Sequence, residues 1–198
     1  MAIEIQQLSD GNFHDYEFVT TLDKTKPCYC SWWHIKPDSI QKYDEEKKAN
    51  PTKFRECVRT KLKTGFHVGV LAYENGVPMA WIAVGPLPEF YWAWKRVASI
   101  GESAAHTAAI MCFNTFPEFR GRGRTPEVLD ALATYGKKLG WQAIEGYPFD
   151  ASAIQRHGVA VLWPGLTEEF EVAGYTKLEP HWLSSEEAAR SIYVRSLQ

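Results

Sequence analysis

Residues 108–114 are almost continuously apolar, and within a few positions the chain turns into Phe119-Arg120-Gly121-Arg122-Gly123-Arg124-Thr125-Pro126. An apolar run without polar alternation is what a strand buried on both faces needs, so it predicts the centre of a sheet. Residues 126–139 place Val128, Leu129, Leu132 and Tyr135 on one face and stop at Gly140, predicting a helix, and residues 143–147 return to strand character. Strand, basic glycine loop, helix and strand at this spacing form a βαβ unit, which commits the chain to an α/β fold.

The loop carries chemistry of its own. Glycines there can take positive φ and let a ligand approach the backbone, so that successive N–H groups converge on an anion. The free amides and positive end of the following helix add to the site, and Arg120, Arg122 and Arg124 supply charge-assisted donors. A phosphate or pyrophosphate is expected; a solvated basic turn is the plainer alternative. The pattern is not the Gly-x-Gly-x-x-Gly of nicotinamide-binding folds, and Gly-x-x-x-x-Gly-Lys-Ser/Thr is absent.

The rest of the chain supports one domain over residues 1–198. Residues 3–8 read as a first strand and 38–49 as a polar helix. Asn50 and Pro51 cap and open a second helix that ends before Gly65, with Phe54, Val58 and Leu62 on one face. Residues 66–73 and 77–84 read as strands joined by an Asn75-Gly76 hairpin turn. Residues 90–97 read as a short helix, 101–107 as a loop, 168–173 as a helix ended by Gly174, and 191–197 as a last strand. No clear period runs through residues 9–36.

Composition removes several function classes. With 22 basic against 24 acidic side chains, the usual electrostatic case for a nucleic-acid or anionic-membrane binder is missing. No stretch approaches the roughly 20 apolar residues of a membrane span, and the first residues lack a signal-peptide pattern, so a cytoplasmic protein with reduced cysteines is expected.

On the loop the chain resembles the GCN5-related N-acetyltransferases, whose signature is Gln/Arg-x-x-Gly-x-Gly/Ala after a strand and a proline-containing turn. Arg120 and Gly123 match its first and fourth positions, while Thr125 stands where Gly or Ala is usual and is expected to cap the helix, with Pro126 in its first position. The likeness extends to Met79-Ala80-Trp81-Ile82-Ala83-Val84-Gly85-Pro86, to Cys112-Phe113, to Glu145-Gly146-Tyr147-Pro148 and to Glu169-Phe170-Glu171-Val172-Ala173-Gly174-Tyr175. It is strong over residues 66–180 and weak over the first 65, where the acceptor side is expected.

The resemblance implies a mixed, mostly antiparallel sheet with a central splay, flanked by helices, and acetyl-coenzyme A as cofactor. Its pantetheine would pair with backbone of Phe113, Asn114 and Thr115, and its pyrophosphate would meet the amides from Gly121 through Thr125. The implied activity is direct acetyl transfer to a primary amine of a small molecule or peptide, by a monomer or homodimer. A cofactor-binding sensor or structural protein is the alternative from another class.

Such a transfer has to move a proton off the amine and one onto the sulfur. Relatives often use a tyrosine four residues before the glycine that ends the last helix, but here that position is Phe170, so Tyr147, Tyr175 or solvent must serve. Glu145, a carboxylate interrupting an apolar strand, is the candidate base, with an arginine ion pair as its structural alternative. Trp32, Trp33 and Trp81 are candidates for an acceptor-binding wall, against a role in the core. Cys28, Cys30, His34, Cys57 and His67 do not have the spacing of a zinc site, and no metal is expected. Cys112 reads as a small core filler.

Overall fold

The computed structural model describes residues 2–21, 29, 31–34, 40–90, 105–152, 165–180, 184 and 189–198. Its strands are β1 (Ile3–Gln7), β2 (Val70–Glu74), β3 (Val77–Pro86), β4 (Thr107–Thr115), β5 (Ala143–Gly146), β6 (Thr176–Pro180) and β7 (Ser191–Ser196). The helices are α1 (Phe13–Thr20), α2 (Ile40–Ala49), α3 (Pro51–Lys63), α4 (Thr125–Lys138) and α5 (Thr167–Val172). The strand order is β1-β2-β3-β4-β5-β7-β6, which puts the apolar β4 at the centre as its composition predicts.

Every neighbouring pair is antiparallel except β4 with β5, the parallel pair of the βαβ unit. That pair is short: Thr107, Ala108, Ala109 and Ile110 face Ala143, Ile144, Glu145 and Gly146. β4 runs on to Thr115 against β3 alone. From Met111 onward its other edge has no strand partner among the described residues, and this is the splay.

A bulge sits at the same place. Ala83 pairs with Cys112 and Val84 with Ile110, so Met111 is the extra residue. Met111 and Cys112 therefore both enter the core on one face, breaking the alternation of the strand.

Each face of the sheet is covered by its own layer. On one, Phe13, Tyr16 and Val19 of α1, Val58 of α3 and Trp33 pack with Trp81, Met111 and Tyr147. On the other, Val128, Leu129 and Leu132 of α4 and Phe170 of α5 pack with Ile144, Tyr175 and Tyr193.

Local signals act as expected at α3, where the Asn50 side chain accepts from the Lys53 N–H and Pro51 stands in the first turn. Asn50→Ala should cost about 1 kcal/mol, read as a lower urea midpoint at unchanged slope. The hairpin also forms, with φ of 52° at Asn75 and 79° at Gly76, a turn in which both central residues take left-handed conformation.

Other expectations need correction. β2 starts at Val70 rather than Phe66, because the residues before it are already committed. The Phe66 N–H bonds to Lys61 O in closing α3 around Gly65, and His67 bonds through its ring to Val84 O at 2.8 Å. Phe90 is extended and closes a 3-10 turn at Leu87–Glu89, so no helix begins there, and residues 91–104 lie outside the described set. The fifth strand ends at Gly146, one residue short of Tyr147. Two elements escaped the sequence: α1, only eight residues long, and β6, an edge strand exposed throughout.

Candidate active site

The glycine loop has the conformation its composition requires. Gly121 and Gly123 have φ of 68° and 64°, and a Cβ on either would meet nothing within 4 Å. The left-handed backbone thus calls for glycine at both positions, while the space in front of them stays open. α4 begins at Thr125 itself, because Arg124 already has helical φ and ψ and takes the capping position. Thr125 is therefore the first helical residue and not the cap. No side chain caps this helix, so its first amides remain available to a ligand.

The three loop arginines do not converge. Arg120 donates from Nε to Thr115 O at 2.7 Å and reaches Asn114 Oδ1 at 3.5 Å, closing the end of β4. Arg124 pairs with Glu74 of β2 at 2.7 Å and Glu127 of α4 at 3.1 Å. Arg122, exposed, lies over the Phe119 ring at 5.7 Å and makes no ion pair among the described residues. Asn114 also donates to Val19 O at 3.3 Å, tying β4 to α1. Phe113 is buried in the α4 layer.

Glu145 and Tyr147 come together. The Tyr147 hydroxyl donates to Glu145 Oε1, and the two residues are 3% and 1% exposed, respectively. Burial raises the Glu145 pKa to about 7, against a smaller lowering by the tyrosine hydrogen bond. Burial, with the adjacent carboxylate, raises Tyr147 well above the ordinary phenol value. Among the described residues Glu145 makes no ion pair, and its hydrogen-bond partner is Tyr147. Ile144 faces the α4 layer and Tyr147 the α1 layer, and strand alternation sets Glu145 on the α1 side with Tyr147.

The other candidates separate. Trp33 shares the core with Tyr147, while Trp32 lies at its margin, edge-on to Tyr43 at 5.0 Å. Trp81 is 1% exposed beneath Tyr16, their ring centroids 4.6 Å apart, which places it in the core. Phe170 is wholly buried against Gly146, and Tyr175 lies in the α4 layer on the far face of the sheet. Cys112 is buried as a core filler.

His67 is engaged by Val84 O and, at 3.0 Å, by the Tyr135 hydroxyl. His34 packs on Phe90, and burial lowers its pKa to about 4. Among the described residues no three His, Cys, Asp or Glu side chains form a cluster for a metal; Cys28 and Cys30 lie outside them. Sequence reasoning missed the Met111 bulge, for which no local signal exists: it arises from the register of β3 on β4.

A groove of about 610 Å³ opens on the α4 side, lined by Pro126, Glu127 and Asp130 of α4, the Val172–Gly174 end of α5, and Arg195. It adjoins the first turn of α4 and lies across the sheet from Glu145. No helix among the described residues is long and apolar enough to cross a membrane.

Comparison with known proteins agrees with this fold. The model of the acetyltransferase (GNAT) family matches residues 26–157, two thirds of the chain. Among solved structures, aminoglycoside acetyltransferase AAC(6')-Ib with coenzyme A and kanamycin superposes at a TM-score of 0.55 and 12% identity, over 98% of this chain and 95% of that one. The PaiA N-acetyltransferase of Thermoplasma acidophilum with coenzyme A gives 0.51 and 14%, over 99% of each chain. An N-acetyltransferase of Staphylococcus aureus Mu50 gives 0.51 and 11%, over 100% of both. At these identities the likeness is one of fold. No curated protein matches the chain in sequence.

Proposed function

The chain belongs to the acetyltransferase (GNAT) family, and from that premise we propose that it transfers the acetyl group of acetyl-coenzyme A to a primary amine of a small molecule or peptide. The observation that carries this reading is a juxtaposition. A buried Glu145–Tyr147 pair stands at the point where β4 and β5 part, beyond which β4 has no second strand partner among the described residues, and the open glycine loop follows the end of that same strand.

Acetyl-coenzyme A is the donor substrate, consumed in each cycle, and brings an activated acyl group with a thiol leaving group. The residues suit it. Backbone amides of Gly121, Arg122, Gly123, Arg124 and Thr125 would hold the pyrophosphate, with the Arg122 guanidinium beside them. The β4 edge at Phe113, Asn114 and Thr115 would pair with the amide arm, and since Arg120 already occupies Thr115 O, the partners left are the other backbone groups of this edge. An amide near Phe113 to Thr115 would polarise the acyl carbonyl and stabilise the developing oxyanion.

Glu145 would accept the proton of the attacking amine. A carboxyl with a pKa of about 7 is half ionised at neutral pH, which suits a base that must take up and release a proton in each turnover. Trp32 and Trp33, on the same side of the sheet, would border the amine, with Trp81 behind them. The fold neighbour solved with kanamycin, an amine-bearing small molecule, supports that substrate class.

The second reading, a sensor that binds acetyl-coenzyme A without turnover, is favoured by Phe170 and opposed by the buried carboxylate. Thiol release from acetyl-coenzyme A in the presence of an amine panel separates them: amine-dependent release supports the transferase, and binding without release supports the sensor. Gly123→Val tests the cofactor site. Its side chain would project into the open space before the loop, on a backbone disfavoured for a β-branched residue, and should weaken acetyl-coenzyme A binding about 10- to 100-fold, the worth of one charge-assisted hydrogen bond. Calorimetry reads it; unchanged affinity in the folded variant places the cofactor elsewhere.

A further inference from the structure

We infer that Glu145 and Tyr147 act as one proton relay, in which the proton leaving the amine and the proton arriving on the thiol are exchanged through a single hydrogen-bonded pair. This rests on the transferase reading above. As the amine nitrogen bonds to the acyl carbon and the carbon–sulfur bond breaks, the nitrogen gives a proton to Glu145. Tyr147 Oη gives its proton to the departing sulfur and regains one from Glu145. Amine and thioester become amide and thiol, and both side chains return to their starting state.

Position is the first argument. Ile110 and Gly146 are the last partners in the parallel pair, so Tyr147 is the first residue beyond it, level with the Met111 bulge and in the same core. The pair thus stands where the central strands part. At 1% and 3% exposure it is cut off from bulk water, so a proton placed on Glu145 has Tyr147 as its immediate partner.

Elimination is the second. Phe170 has no proton to give. Tyr175 and Tyr193 lie across the sheet in the α4 layer, the latter bonded to Glu171 at 2.8 Å. Tyr16 donates to Tyr29 O, Tyr73 to Asp15, and Tyr135 meets His67. Among the described tyrosines, only Tyr147 stands at the splay with its hydroxyl on a carboxylate. A separate base and acid would need two such sites, and the described residues build one.

The test has three parts. In the free protein, carbon-13 NMR follows the Glu145 carboxyl against pH. Tyr147→Phe removes a hydrogen bond that favours the carboxylate, so the Glu145 midpoint should move up, and a midpoint unmoved by Tyr147→Phe overturns the coupling. In turnover with acetyl-coenzyme A and kanamycin, a linear diamine or a peptide with a free N-terminus, Glu145→Gln and Tyr147→Phe should each lose about 10²- to 10⁴-fold, and the double variant should be no slower than the worse single. A double variant slowed by the product of the two losses means independent groups and overturns the relay. The wild type in mixed light and heavy water needs no variant: a curved dependence of rate on deuterium fraction supports two protons in flight, and a straight line refutes it. If the wild type binds acetyl-coenzyme A and acetylates none of these amines, the transferase reading itself falls and takes the relay with it.

Discussion

Glu145→Gln should lower turnover by about 10²- to 10⁴-fold, leave acetyl-coenzyme A affinity unchanged, and abolish the pH dependence of stability at this position. The carboxyl is 1% exposed and bonded to Tyr147, so its ionised form is disfavoured in the native state, with a pKa of about 7 against 4.5 when unperturbed. A group whose pKa is raised by folding stabilises the native state fully below its unfolded value and loses that contribution as pH rises through the folded one. The wild type should therefore lose about 3 kcal/mol from this group between pH 4 and pH 8, most of it below pH 7. Glutamine stays neutral throughout, so the variant should gain on the wild type by that amount over the same interval. Urea unfolding at several pH values measures it. Parallel stability curves would show that Glu145 ionises freely in the native state, and undiminished turnover would remove it as the base.

Phe170→Ala should be among the most damaging substitutions to stability, at about 3–5 kcal/mol, while Phe170→Leu keeps much of the turnover once folded. The ring is wholly buried, edge-on to Tyr175 at 4.9 Å. It lies so close to Gly146 that a Cβ there would stand 2.3 Å from Phe170 Cε1. β5 is paired on both sides, with β4 and β7, so the backbone of Gly146 has little room to retreat. Gly146→Ala should consequently cost up to about 3 kcal/mol by overpacking. The two changes should couple, since a methyl at residue 146 relieves part of the cavity left by Phe170→Ala. Urea denaturation of both singles and the double gives the cycle; strict additivity would mean that the ring does not rest on Gly146. In this chain, then, the residue at the family's tyrosine position works as packing beneath the splay.

The glycine loop shows how far local reading reaches. Positive φ at Gly121 and Gly123 follows from residue type and from the strand and helix that flank them. What Arg120 and Arg124 do does not follow, because their partners, Thr115 O and Glu74, are brought to them by β4 and β2. The Thr125 cap failed for a related reason: the helix began one residue early once Arg124 took helical angles. Glu145 and Tyr147 were readable as unusual polar residues in an apolar strand, but their hydrogen bond depends on side-chain directions set by packing beneath α1.

Taken alone, the sequence determined what short-range physics controls: the buried central strand, the hairpin at Asn75-Gly76, the cap at Asn50, and the order of strand, loop and helix that identifies the family. Each depends on residues within a few positions of one another, where propensity, periodicity and turn geometry act. The tertiary structure decided the insertion of β7 between β5 and β6, the bulge at Met111 and the burial that raises the Glu145 pKa. These arise where segments distant in sequence meet, because register, desolvation and hydrogen-bond partners are properties of the assembled sheet.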